Sequence, residues 1–188
     1  MKYNHLHLAA LMAIGLFTFG CSEKNPVKPI TVDHDIITTV TVVLKPVASP
    51  TDSIVVVWED IDGVGGANPN RIDTLRIMHG VVYSCNVTMQ NRSVTPVIDI
   101  TTSIQAESDN HQVFYTLSDD LGVISISDKD SRGLPLGLAF TLTPTTKASA
   151  VVGRFSLMLS HYDNSANKNG TTPSEETDIS IELPTVVK

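Results

Sequence analysis

The chain has 188 residues, 41% hydrophobic and 18% charged, with a formal net charge of −7. This is the composition of a folded domain rather than a disordered tail, and the length allows one domain with a sizeable core. The acidic balance, with no basic run anywhere, excludes nucleic-acid binding, which draws its affinity from neutralising phosphates, and excludes docking of the domain on an anionic membrane surface.

The N-terminus opens with Lys2 and carries no acidic residue before Glu23. Residues 8–21, LAALMAIGLFTFGC, form an apolar run that ends in Gly20 and Cys21. The run has the length of a signal-peptide core, roughly 7–15 residues, and falls short of the ~20 that span a bilayer. Residues 1–20 therefore read as an export signal, and Cys21, behind a small residue, as a lipidation site. Several acyl chains at ~0.8 kcal/mol per buried methylene hold a protein on a membrane where one chain would not. Residues 21–35 are the lipidated tether, held semi-extended by Pro26 and Pro29 because proline fixes φ. With Cys21 carrying lipid, Cys85 has no disulfide partner, since the chain has two cysteines.

The domain proper spans residues 36–188. Residues 36–47, IITTVTVVLKPV, are β-branched almost throughout and favour a strand over a helix. Ile36, Thr38, Val40, Val42 and Leu44 make its core face. A second strand runs from Ser53 to Glu59, followed by a glycine- and Asx-rich loop over 60–70 and a short strand over 71–78. Residues 81–90 alternate with period two, which places Cys85 on the buried face. Residues 99–110 make the single helix, with Asp99 as N-cap and Ile100 and Ile104 on one face. Strands follow at 111–117, 122–127, 137–143, 148–161 and 178–187, with a polar loop over 163–176. Eight or nine strands and one short helix predict a mostly β protein, an antiparallel, immunoglobulin-like β-sandwich.

Two loops carry aspartates at alternate positions ahead of glycine: Asp60 and Asp62, and Asp128 and Asp130. This is how a calcium loop begins, since calcium takes several oxygen ligands. Aspartate and glycine serve plain turns equally well, Val64 stands where the next ligand belongs, and Arg132 brings a positive charge to the second loop. Glu107, Asp109 and His111 form an acid–acid–histidine cluster, and His161 with Asp163 ends another strand; imidazole plus carboxylate is a transition-metal donor set. No nucleophile elbow, phosphate-cradling loop or HExxH stands in the sequence, so no enzyme is expected.

Five segments taken together, IITTVTVVLKP, WEDIDGVGGANP, SDNHQVFY, DKDSRGLPLGLAFTL and ETDISIELP, resemble a family of uncharacterised lipoproteins of Gram-negative bacteria. The likeness runs in order through most of the mature chain. Some members are labelled as type 1 periplasmic-binding folds, a two-lobed α/β architecture larger than this chain makes and at odds with its strand pattern. The resemblance implies an outer-membrane lipoprotein, periplasmic or surface-exposed, and no defined activity. The expected function is a membrane-anchored, non-catalytic binding or interaction module at the cell envelope, with an outer-membrane transporter as a fitting partner. The alternative is a lipoprotein that binds calcium or a transition metal.

The anchor makes the first prediction. Cys21→Ser should move the protein out of the membrane fraction and remove acyl mass from its N-terminal peptide; an envelope-bound Cys21→Ser protein overturns the assignment.

Overall fold

The computed structural model describes residues 36–63, 65–118, 120–147 and 149–188. The export signal (1–20), the tether (21–35) and Cys21 lie outside the described residues. The strands are β1 (Thr39–Pro46), β2 (Ile54–Glu59), β3 (Arg71–Ile72), β4 (Leu75–Ile77), β5 (Tyr83–Asn91), β6 (Ile98–Asp99), β7 (His111–Leu117), β8 (Gly122–Ile126), β9 (Ala139–Pro144), β10 (Val151–His161) and β11 (Glu176–Val187). The helix α1 (Ile100–Ala106) lies between β6 and β7. No helix among the described residues is long and apolar enough to cross a membrane.

Two sheets result. One has the order β3-β2-β1-β5-β9-β8, with β6 paired to β5, and the other the order β4-β11-β10-β7. Along the chain, β1-β5-β9-β8 and β7-β10-β11 follow the A-B-E-D and C-F-G order of an immunoglobulin sandwich, with β2 and β3 added at the outer edge of the first sheet. The expected count of eight or nine strands rises to eleven through three short ones. The segment 71–78, expected as one strand, divides: β3 joins β2, while β4 crosses to the other sheet and pairs parallel with β11. That short pair is parallel, and the other strand pairings among the described residues are antiparallel, as expected.

The alternating strands put their apolar faces together. On β5, Tyr83, Cys85, Val87 and Met89 are all at most 2% exposed. Across the gap, Phe140 of β9 meets Tyr115 of β7 at 4.5 Å between ring centroids and Phe155 of β10 at 6.0 Å, within the range where aromatic pairs attract beyond their buried area. Gly137, just ahead of β9, passes close to β7: its φ is +95°, and a Cβ there would lie 2.6 Å from the Val113 carbonyl oxygen, so only glycine fits. Cys85 is a free thiol in this core, and burial pushes its pKa up to about 12, which makes it an inert hydrophobe.

Asp99 caps α1, its Oδ1 accepting from Thr101 N at 3.0 Å. Thr101 Oγ1 accepts from Met89 N at 2.8 Å, and Ile100 and Ile104 are fully buried, so the helix is welded to β5. The regular helix stops at Ala106, short of the Asn110 expected from sequence, and a 3-10 turn over Ser108–Asn110 follows. The turn's polar groups bond elsewhere: Asp109 Oδ1 accepts from Ser131 N at 3.1 Å, and the Ser108 carbonyl accepts from Lys168 Nζ at 2.8 Å.

Phe140 stands at the junction of the two sheets, so Phe140→Ala should cost about 3–5 kcal/mol of stability, read as a lower urea midpoint with an unchanged slope.

Candidate metal centre

β10 is the hinge of the site. It pairs with β7 on one side and β11 on the other, and the register brings His161 opposite His111 and opposite Glu176. Between Leu159 and Ser160 the register with β11 shifts: Ser160 pairs with Thr177 and Leu159 with Ile179. Asp178 is the extra residue of this β-bulge, and a bulge re-aims the side chain it carries. Its carboxylate, 3% exposed, points at both histidines.

The two imidazoles stack, centroids 4.7 Å apart and planes 12° from parallel. His111 is fully buried, and its Nδ1 lies 3.0 Å from the Glu107 carbonyl oxygen. A carbonyl only accepts, so Nδ1 carries the proton and, in the neutral ring, Nε2 carries the lone pair. Backbone-carbonyl support of this kind is what sets the tautomer of metal-binding histidines. His111 Nε2 is 3.7 Å from Asp178 Oδ2; His161 Nδ1 is 4.0 Å from Asp178 Oδ1 and 3.9 Å from Glu176 Oε1. Ligand atoms of His111, His161 and Asp178 all lie within 4.8 Å of one another. These gaps exceed hydrogen-bond length. They approach the separation of about 3.4 Å between ligands on a tetrahedral ion with bonds near 2.1 Å.

The structure sorts the sequence candidates. It brings His111 and His161 together. Glu107 contributes its backbone carbonyl, and Asp109 is drawn to Ser131, so the acid–acid–histidine cluster does not converge through its carboxylates. Asp128 accepts from the backbone N–H groups of Gly137 and Leu138, each at 2.8 Å. Asp130 Oδ1 accepts from Arg132 N and Leu134 N at 2.9 and 2.8 Å, and its Oδ2 lies 2.9 Å from Lys168 Nζ. This second loop therefore turns its aspartates onto its own donors. Asp62 Oδ2 likewise accepts from Ala67 N at 2.8 Å. Asp60 is 3% exposed at the end of β2, its pKa raised by burial and then by neighbouring Asp62.

Asp178 and Glu176 were not singled out from the sequence. The pattern ETDISIELP shows a strand, but the bulge depends on which residues of β10 oppose it, and pairing leaves no local trace.

A cavity of about 400 Å³ opens beside the cluster, lined by His161, Asp163, Asn167, Thr172, Glu175 and Glu176 among others. The loop that forms it is anchored by Lys168, whose side chain is buried against Asp130 and Ser108 O, and by Tyr162 Oη donating to Thr172 O at 2.6 Å. Compared with protein-family models, curated proteins and solved structures, the chain matches none of them.

Burial pushes the Asp130 carboxyl up, but Lys168 and the backbone N–H of Leu134 outweigh it and hold the group below the ordinary aspartate value. A depressed folded-state pKa stabilises above the unfolded value and loses that contribution as pH falls through the folded one. Lys168→Met leaves Arg132, 3.5 Å from Asp130 Oδ2, as the remaining cation and should cost about 1.5–3 kcal/mol near neutrality, the range for a hydrogen bond to a charged group. The gap between variant and wild type should close as pH falls below about 4, checked by urea titrations along a pH series.

Proposed function

We propose that this chain is an envelope lipoprotein whose β-sandwich binds a divalent transition-metal ion through His111, His161 and Asp178, as a binding module without catalysis of its own. The observation that carries the reading is the spacing: Asp178 holds one oxygen 3.7 Å from His111 Nε2 and the other 4.0 Å from His161 Nδ1. With Nδ1 turned to the Glu107 carbonyl, His111 presents Nε2 to the carboxylate, where imidazole and carboxylate could share a cation. Two imidazoles with a carboxylate favour zinc, copper or nickel over calcium, which takes oxygen ligands. Asp163, Glu175 and Glu176 at the cavity mouth raise the local concentration of cations.

The lipobox-like run ending in Cys21 and the likeness to Gram-negative lipoproteins support placement at the outer membrane, where an outer-membrane transporter is the partner this arrangement suits. A second reading uses the same burial: a charged His111 ring paired with Asp178 as an internal clamp. It needs a proton in place of the ion.

Calorimetry of the folded protein with zinc, copper, nickel and calcium separates the two. A single transition-metal site of about 1 μM or tighter is expected, weakened at least about tenfold by His161→Ala, which alters the more exposed histidine. Affinity should fall as pH is lowered, because protons compete with the ion for the imidazole nitrogens. No binding tighter than about 1 mM for any of the four leaves the proton clamp and removes the metal.

A further inference from the structure

The donor set has a closed side and an open side. His111 and Asp178 are 0% and 3% exposed in their side chains, while His161 is 26% and Glu176 52% exposed. The two exposed residues line the cavity of about 400 Å³, and the two buried ones are not part of its lining, so His161 is the ligand that joins the donor set to the cavity. Structural zinc sites are closed by four protein ligands, whereas three protein ligands with one face open to a cavity leave a position for an external donor. The second carboxylate near His161 Nδ1, Glu176 Oε1 at 3.9 Å, comes from a half-exposed side chain, and Glu176 is not among the three residues whose ligand atoms converge.

The charge of the cavity selects the donor. Asp163, Glu175 and Glu176 line it, with no lysine or arginine among the lining residues, so an anionic ligand is repelled and a neutral one is not. The volume lies at the small end of ligand pockets, which admits a small ring such as imidazole. We propose that the ion bound by His111, His161 and Asp178 keeps one coordination position open to this cavity, and that the position takes a neutral nitrogen donor of imidazole type. The proposal rests on the metal reading above and makes the site one of exchange, where an ion is handed over by ligand substitution, rather than a structural rivet. The incoming nitrogen lone pair forms the new bond, and a bound water leaves.

The test uses the folded protein loaded with cobalt(II), whose visible spectrum reports its coordination, titrated with imidazole, with the tripeptide Gly-His-Gly and with acetate. A saturable spectral shift is expected at about 1 mM imidazole or below, with cobalt retained on the protein by elemental analysis and acetate at least about tenfold weaker. A matching shift with the tripeptide assigns the position to a chain-borne histidine; a shift with imidazole alone assigns it to a free small molecule. Either supports the proposal. A cobalt spectrum that imidazole leaves unchanged overturns it, and if Glu176→Ala then restores the response, Glu176 is the fourth ligand and the site is closed. Equal binding of acetate, or loss of cobalt to imidazole, also overturns it. A protein that takes up no cobalt at all removes the metal reading itself.

Discussion

The register of β10 is the constraint on which the rest depends. This strand is paired along its whole length with β11 and over its second half with β7. Both pairings must hold for the C-F-G layer to present one apolar face to the other sheet, because a slip of one residue turns every side chain to the wrong side. Val113, Leu159 and Ile179 line up across the three strands and are buried. Two residues further along β10, the same pairings carry His111, His161 and Glu176. The core therefore places the histidines: the hydrophobic register is satisfied first, and the polar end of the layer follows from it.

The bulge is where this layer departs from regularity. A strict alternation on β11 would send Asp178 outward with Ser180 and Glu182. The extra residue rotates it toward the histidines at the expense of one ladder position. Burying a carboxylate there is costly unless it meets positive charge or donors. Here it lies beside two imidazoles, a geometry compatible with either proposed occupant, an ion or a proton.

Around the cluster the loops are held by buried polar groups. Lys168 is sealed against Asp130 and the Ser108 carbonyl, while Arg132 donates to the Asp109 and Ser165 carbonyls at 3.0 and 2.7 Å. Three segments far apart in sequence are thus joined at one end of the sandwich, and together they set the shape of the acidic cavity. The aspartates that resemble calcium ligands at 128 and 130 belong to this bracing; three of their oxygens face backbone N–H groups and the fourth faces Lys168, because a tight loop has donors of its own to satisfy.

The mostly β class, the core face of β1 from Thr38 to Leu44, the burial of Cys85 and the start of β7 at His111 were legible in the chain, because period-two alternation and β-branched runs are local and survive without a partner; Ile36, expected on that face, is exposed, while Ile37 ahead of β1 is buried instead. His111 and His161 stood out by residue type. The assembly of the site did not. Which strands are neighbours, where β10 and β11 slip by one, and which acid the slip turns inward are all settled by pairing between segments that lie tens of residues apart. The split of residues 71–78 between two sheets has the same origin. Local sequence decides what each segment is; contact between segments, driven by burial of their apolar faces, decides which side chains meet.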